Sequence, residues 1–236
     1  MGIFDFVTEL VGSNEKKIEL YARKVRHKDT AVEQREAAVV WLAEEGSHEA
    51  IVAMLGRFEM TYEHQMKDQV EKERVERMLL AVGTDAIAPM ADFLRRSRSF
   101  ARAMAVYRKL AGDDVAKALN LELLDVEFAK SGLKPKKKHD LLVMLANFQG
   151  ADVIESATRF LGDFNEGCRF ASVEVLITQE DTPAIRSALL ERLSPKEESG
   201  RVKHRIADIA SQRRWEVGEV EVPENFKLQS GRLVAG

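Results

Sequence analysis

The chain is poor in cysteine and proline, and each of these scarcities excludes or disfavours some classes of protein. Its single cysteine, Cys168, excludes an internal disulfide and a zinc site built from several cysteines, and it fits a reducing cytosol. Only 5 prolines in 236 residues leave long stretches free to form helix, which the abundant Ala, Leu, Glu, Lys and Arg favour. The composition therefore predicts an all-α protein of the cytoplasm.

Charge of one sign and long apolar runs are also missing. The 36 basic and 39 acidic residues give a net charge of −3, which creates no global attraction to nucleic acid or to an anionic membrane. The longest wholly apolar run, Ala37–Ala43, is seven residues, whereas a membrane span needs about 20 residues. We therefore expect a soluble protein with no membrane span, whose partners bind local surfaces.

Motifs that carry catalytic chemistry are not found either. The 5 histidines form no His-x-x-x-His pair, so a metal site at catalytic spacing is not expected. His48 and Glu49 fit the first turn of a helix, where a carboxylate favours the helix dipole. No glycine-rich phosphate loop occurs. The sequence thus predicts a protein that is not an enzyme and that holds neither a cofactor nor a metal.

A repeated pattern of paired amphipathic helices is present instead. Five segments carry an apolar helical pattern that ends at a break, and the breaks fall at Gly46, Gly83, Gly112, Gly150 and Glu180. A second amphipathic stretch follows each break directly. Glycine at four of the five breaks is typical of a left-handed helix C-cap. Each repeat is predicted to be a helical hairpin, with the Gly-terminated helices in one layer and the intervening helices in the other.

Capping residues mark three predicted helix starts. The pairs Asp68 with Glu71 and Asp163 with Glu166 have the spacing of a capping box, and Thr182 precedes a proline at the first helical position. These starts agree with the hairpin interpretation.

Two of the repeats carry insertions, at about Glu59–Val70 and Glu127–Lys138. The first has Met60, Tyr62 and Met66 spaced through charged residues. Insertions of this kind usually project from one edge of a solenoid and often bind partners.

The stretch from Leu161 to Leu176 carries the pattern of one repeat family. It closely resembles the HEAT consensus of Leu, Asp two residues on, and then Val-Arg-x-Ala-Ala-x-x-Ala-Leu. The matching stretch reads Leu161-Gly-Asp163-Phe-Asn-Glu-Gly-Cys168-Arg169-Phe-Ala171-Ser172-Val-Glu-Val175-Leu176. Three residues, Cys168, Ser172 and Val175, depart from the consensus but are small or apolar. Weaker copies lie at 35–39 and 102–106, and the resemblance to the HEAT-repeat (armadillo-like, PBS-lyase HEAT-like) family covers roughly residues 30–215.

This resemblance implies a HEAT-like α-solenoid of about five to six antiparallel helix pairs over residues 30–215. It further implies that the Gly-terminated layer is concave, that Asp163 and Arg169 belong to a structural ladder between repeats, and that Cys168 is a packed, inert thiol.

The two ends of the chain differ from the array. Residues 1–29 are expected to form an N-terminal capping region, in which Ile3, Phe4, Phe6, Val7, Leu10 and Val11 make one side of a short helix; a docking helix is the alternative. The segment 216–223 alternates with the period of a strand. Residues 216–236 are expected to form either a short non-helical tail or a small hairpin about Ser230-Gly231.

The predicted function is a non-enzymatic scaffold that binds a protein or peptide through the concave layer and the insertions. Candidate contact residues are Tyr62 and an apolar stripe of Phe170, Val173 and Ile177, for which simple burial is the alternative explanation. The other predicted class is a nucleic-acid-binding module that uses two basic clusters, for which solvated surface is the alternative. The clusters are Arg95, Arg96, Arg98 and Arg102, and Lys134, Lys136, Lys137 and Lys138.

Overall fold

The computed structural model describes residues 3–62, 64–130 and 135–236, with side chains from Asn14 onward. Most of these residues are helical, and the sole sheet among them is a two-stranded hairpin. The all-α class is therefore confirmed, while the solenoid stays a prediction. The chain packs as two compact units, residues 1–119 (unit 1) and residues 120–236 (unit 2).

The described helices and strands follow one another in a simple order. Unit 1 contains α1 Ile3–Arg26, α2 Val32–Glu45, α3 His48–Leu55, a 3-10 turn Gly56–Glu59, α4 Gln65–Val82, a 3-10 turn Gly83–Ala86, α5 Ile87–Arg96 and α6 Ala101–Ala111. Helix α7, Asp113–Ala129, begins in unit 1 and ends in unit 2. Unit 2 continues with α8 Lys136–Leu145, α9 Ala151–Phe160, α10 Glu166–Thr178, α11 Pro183–Leu190, α12 Gly200–Gln212, β1 Phe226–Gln229 and β2 Arg232–Ala235.

The helices of unit 1 alternate between two layers. Helix α3 contacts α1 and α5, whereas α4 contacts α2 and α6. Each helix buries the apolar stripe that its helical period provides, so that Leu42 of α2, Leu79 of α4 and Met104 of α6 have no exposed surface. The Gly-terminated helices α2, α4 and α6 thus pack in succession, and α1, α3 and α5 pack in succession on the other side.

Helix α10 is the central helix of unit 2. It contacts α8, α9 and α12, and α12 in turn contacts β2. Residues on opposite sides of α10, such as Cys168, Val173 and Leu176, are completely buried. The nearly all-round apolar pattern of this helix is therefore explained by neighbours on several sides.

Glycine ends three of the helices as predicted, but not the fourth. Gly46, Gly83 and Gly112 follow α2, α4 and α6 directly, with φ of 70°, 75° and 85°. Gly46, with ψ of 0°, has the predicted left-handed helical conformation, whereas Gly83 and Gly112 have ψ of −138° and 167° and do not. Gly150 also has a positive φ, of 139°, but it precedes α9, five residues after the end of α8 at Leu145. The predicted C-cap at Gly150 is wrong, because α8 stops earlier and Gly150 belongs to the next helix start.

The predicted helix starts are confirmed once and corrected twice. Thr182 caps α11, since its hydroxyl accepts a hydrogen bond from the Ile185 N–H at 3.4 Å and Pro183 stands at the first helical position. At α10 the cap is Asn165 rather than Asp163; its side-chain oxygen accepts from the Cys168 N–H at 3.1 Å. The capping box at Asp68 is wrong, because α4 already begins at Gln65.

The first predicted insertion, Glu59–Val70, is not a projecting loop. Helix α4 takes up its second half, and Met60 in its first half is buried. Of the three apolar residues noted there, Met66 is the largely exposed one, at 80%, while Tyr62 is half-buried. Most of the second insertion that the structure describes belongs to α7 and α8.

Helix α1 is not short, because it extends over 24 residues and packs on α2 and α3. Its Tyr21 ring stacks on Trp41 of α2 at a centroid distance of 4.5 Å. The predicted apolar side of residues 3–11 lies outside the described side chains.

The C-terminal residues form the hairpin. Strands β1 and β2 are antiparallel, and Gln229 pairs with Arg232 across a two-residue turn of Ser230 and Gly231. Both turn residues have positive φ, 51° and 75°, which is the turn geometry that two-residue hairpins favour. The segment 216–223 is not a strand; it is tied down by single backbone hydrogen bonds such as Val217 N–H to Gly231 O at 2.8 Å.

Candidate functional site

The candidate site is a groove in unit 1 across three successive helices, which we call the α1–α3–α5 groove. It has a volume of about 620 Å³, within the roughly 300–1,000 Å³ typical of ligand pockets. Each helix contributes one face at helical spacing, and the lining residues are Ile18, Ala22 and Arg26 of α1, His48, Glu49, Val52 and Ala53 of α3, and Asp92, Arg95 and Arg96 of α5.

The floor of the groove is aliphatic and built from small side chains. Ile18, Ala22 and Val52 are half-buried and Ala53 is buried. Gly56, just beyond α3, lets Arg26 lie close, because a Cβ atom at that position would come within 2.3 Å of the Arg26 Nε atom. The absence of a side chain at Gly56 therefore leaves space for the Arg26 side chain beside the groove.

Charged side chains surround this floor. Asp92 is engaged within the groove: one carboxylate oxygen lies 3.1 Å from His48 Nε2 and the other accepts from Arg95 Nη1 at 3.2 Å. Arg96 Nε donates to the backbone carbonyl of Asp92 at 3.1 Å. Arg26 and Arg96 are exposed, and neither pairs with a carboxylate among the described residues. The groove therefore offers two uncompensated guanidinium groups beside an apolar floor.

The lining restricts the chemistry of this groove. Among its described residues it holds a His–Asp pair but no hydroxyl, thiol or amine side chain. Across the described part of the chain, no three His, Cys, Asp or Glu side chains are arranged to hold a metal ion. What the groove can do is bind an anionic group and an apolar group side by side.

A second concentration of charge in unit 1 is buried, and we call it the Glu71 cluster. It consists of Arg35, Arg57, Tyr62, Asp68, Glu71 and Lys72. The Glu71 carboxylate accepts from Arg35 Nε at 2.8 Å and from Arg57 Nε at 3.0 Å. Arg57 also donates to Asp68 Oδ1 at 2.6 Å and to the Met60 carbonyl at 3.0 Å. The cluster joins α2, the turn after α3, and α4.

Burial and hydrogen bonding act in opposite directions on the carboxylates of the Glu71 cluster. Burial by itself raises the pKa of Glu71, but the hydrogen bonds from Arg35 and Arg57 outweigh it, and the net pKa is lowered. The pKa of Asp68 is likewise lowered, because hydrogen bonds from Lys72 and Arg57 outweigh its burial. Both carboxylates are therefore held ionised, which is a structural arrangement and leaves them no open position for a ligand.

The predicted contact residue Tyr62 belongs to this cluster. Its hydroxyl accepts from Arg35 Nη2 at 3.0 Å and donates to the Glu71 carboxylate. Both partners of the hydroxyl are buried charged groups, so the structure gives Tyr62 a part in the core of unit 1.

The predicted arginine cluster is split by the fold. Arg95 and Arg96 line the groove, and Arg98 is exposed in the connection to α6. Arg102 lies in the other layer, on α6, where it pairs with Glu76 of α4 and donates to Gln69 at 2.5 Å. Two of the four predicted arginines are thus brought together at the groove.

The apolar stripe of α10 does not form an open groove. Val173 has no exposed surface, Phe170 is half-buried with the Arg201 guanidinium 3.7 Å from its ring centroid, and Ile177 is half-buried. A fully buried Val173 offers no surface to a partner in this structure, so burial accounts for it.

The second basic cluster is largely neutralised where it is described; Lys134 lies outside the described residues. Lys136 pairs with Asp140 at 3.3 Å and Lys138 with Asp163 at 2.6 Å. Lys137 is half-buried, and burial lowers its pKa. These contacts disfavour a phosphate-binding patch at the start of α8.

Residues of the matching HEAT stretch serve the packing of unit 2. Arg169 donates to Glu197 at 2.7 and 2.9 Å, and Glu197 also accepts from Arg192 at 3.3 Å. We call these three residues the Glu197 cluster. Burial raises the pKa of the Cys168 thiol to about 12, so the thiol is protonated and unreactive in the folded chain.

The sequence did not single out most of the groove. One signal was available, because Ile18, Ala22 and Arg26 recur every four residues on one side of α1. That spacing does not indicate that α3 covers one edge of this side and leaves the other edge open. The prediction set the binding surface on the Gly-terminated layer, whereas the groove lies on the layer of α1, α3 and α5.

No helix in the described part of the chain combines the length and the apolar character that crossing a membrane requires.

No protein-family model, no curated protein and no solved structure matches this chain. The HEAT resemblance therefore rests on the residues of the chain itself.

Proposed function

We propose that this protein is a HEAT-like α-solenoid that acts as a non-enzymatic scaffold in the cytoplasm and binds a segment of another protein in the α1–α3–α5 groove. The observation that carries the proposal is the groove itself, an open apolar floor with two uncompensated arginines. Solenoids commonly bind partners along surfaces that successive repeats build together.

Ion pairs between successive helices of one layer support the HEAT-like part of the proposal. Arg74 of α4 pairs with Glu36 of α2 at 2.9 Å, and Arg102 of α6 pairs with Glu76 of α4. In unit 2, Arg205 of α12 pairs with Glu174 of α10 at 2.5 Å. In each case the arginine of the later helix reaches the glutamate of the earlier one, as expected of a repeated inter-helix ladder.

A site-specific crosslinking experiment tests the scaffold proposal. A photoreactive amino acid at Glu49, on the groove rim, is compared with the same residue at Leu80, which is 38% exposed on α4 of the other layer. In native cell lysate we expect a discrete protein adduct at position 49 and not at position 80. The adduct should resist nuclease treatment. Identical adducts at both positions, or none at position 49, would contradict the proposal.

Nucleic acid is the second candidate, and one observation favours it. Arg95, Arg96 and Arg98 are all exposed at the C-terminal end of α5. This candidate predicts an affinity for duplex DNA or RNA that falls steeply with salt and is lost when the three arginines are changed to glutamate. The aliphatic floor of the groove works against it, because a phosphate backbone would leave Ile18, Val52 and Ala53 without an apolar contact.

A further inference from the structure

We infer that the segment bound in the α1–α3–α5 groove is an acidic peptide segment of a partner protein, whose apolar side chains contact the floor and whose carboxylates pair with Arg26 and Arg96. This inference rests on the proposed scaffold function and adds the chemistry of the partner.

The charge balance of the groove is the first reason. Among its described residues, the lining has three arginines against two carboxylates, and one of these carboxylates, Asp92, already contacts His48 and Arg95. Arg26 and Arg96 are left without a carboxylate among the described residues. Carboxylates from a partner would supply the missing counter-charges through charge-assisted hydrogen bonds.

The floor is the second reason, because it selects a peptide over a polynucleotide. Ile18, Ala22, Val52 and Ala53 are aliphatic, and the groove lining contains no aromatic ring on which a base could stack. Aliphatic floors with charged rims are typical of grooves that take an amphipathic peptide segment. Phosphate binding would use the arginines and leave the apolar floor uncovered.

The third reason is that Arg96 is preorganised. The Asp92 carbonyl accepts a hydrogen bond from Arg96 Nε at 3.1 Å. Less side-chain freedom is therefore lost when a carboxylate binds.

The test uses the intact chain and a phage-displayed library of random peptides of about 16 residues, long enough for roughly four helical turns. Binding peptides are selected on the wild type, and one enriched peptide is titrated by fluorescence anisotropy. We expect the enriched peptides to combine Asp or Glu with aliphatic residues, and their affinity to fall as salt rises.

The decisive variant carries Arg26→Glu and Arg96→Glu. Its matched control carries Arg77→Glu and Lys109→Glu, two exposed residues of α4 and α6 with the same change in charge. We expect the peptide affinity to fall at least about tenfold in the first variant, as charge pairs become repulsions, and to be nearly unchanged in the control. A new selection on the first variant should enrich Lys and Arg.

The outcomes separate this inference from the proposed function. Enriched peptides without acidic residues, or an equal loss of affinity in both variants, would overturn the acidic partner while the crosslink at Glu49 still supports the scaffold. Displacement of the peptide by duplex DNA in a manner that depends on Arg26 and Arg96 would also overturn it. A library that yields no binder, together with no adduct at Glu49, would overturn both.

Discussion

The arginines of unit 1 occupy two contrasting environments. In the Glu71 cluster, Arg35 and Arg57 are 2% and 0% exposed and donate to carboxylates and carbonyls from several directions. At the groove, Arg26 and Arg96 are exposed and have no carboxylate partner among the described residues. The same residue type stabilises the fold in one place and is exposed without a described carboxylate partner in the other, and the number of fixed partners distinguishes the two.

This contrast has an energetic consequence. Removing one partner of a buried ion pair leaves an uncompensated charge away from water and is strongly destabilising. Replacing an exposed arginine leaves no buried charge without a partner, so it changes the free energy of unfolding little. The two environments should therefore respond in opposite ways in stability and binding measurements.

The largest effect on stability is expected for Glu71→Gln. The substitution leaves Arg35 and Arg57 buried without their shared negative charge, so the free energy of unfolding should fall by about 3 kcal/mol or more. Urea unfolding followed by circular dichroism measures it. Glu73→Gln, at an exposed position two residues along α4, is the matched control and should change it by less than about 0.5 kcal/mol. Equal effects would remove the distinction between buried and exposed charge.

The stabilisation by the Glu71 cluster should depend on pH. Because the folded-state pKa of Glu71 lies below its unfolded value, its contribution is complete above the unfolded value, about 4.3, and is lost as the pH falls through the folded pKa. Asp68 acts in the same direction. The difference in unfolding free energy between the wild type and Glu71→Gln should stay constant at higher pH and shrink in acid. If that difference in unfolding free energy stays constant down to the pH of acid unfolding, the lowered pKa of Glu71 would be contradicted.

A smaller loss is expected for Glu197→Gln in unit 2. Glu197 is fully buried, but its partners Arg169 and Arg192 keep 13% and 18% of their side chains exposed and can turn towards water. We expect the free energy of unfolding to fall by about 2 kcal/mol. If labelling of the Cys168 thiol requires local opening, this loss corresponds to roughly 30-fold faster labelling. Glu198→Gln, an exposed neighbour, is the control. Unchanged labelling would show that the Glu197 cluster does not hold this part of unit 2 closed.

The expected effect of Tyr62→Phe on the free energy of unfolding is intermediate. Tyr62→Phe removes the hydroxyl between Arg35 and Glu71 and keeps the ring, so unfolding should become easier by about 1 kcal/mol with unchanged peptide binding. Weaker peptide binding at unchanged stability would instead return Tyr62 to the role of a contact residue.

The smallest effect on stability is expected for Arg96→Glu. An exposed arginine outside any described ion pair should change the unfolding free energy by no more than about 0.5 kcal/mol, although the same variant should weaken binding of an acidic peptide. A large loss of stability would place Arg96 with the buried arginines.

Local features of the fold could be predicted because they depend on residues close together in the chain. The helical class follows from composition and period, the ends of α2, α4 and α6 from single glycines, and the start of α11 from Thr182 and Pro183. Each involves hydrogen bonds spanning three or four residues. The prediction failed at Asp68 and Asp163, whose carboxylates had a suitable spacing for caps but bind cations from other segments instead.

The sequence by itself therefore determined the class of structure, the helix ends at Gly46, Gly83 and Gly112 and the helix start at Thr182-Pro183, and it gave the hairpin turn at Ser230-Gly231 as one of two alternatives. Tertiary structure alone decided which arginines are buried among fixed partners and which are exposed. Arg35 meets Glu71 across 36 residues, and Arg26 meets the faces of α3 and α5 at the groove. Packing between helices brings such partners together. The sequence alone does not indicate whether the counter-charge of a given side chain lies within the same chain.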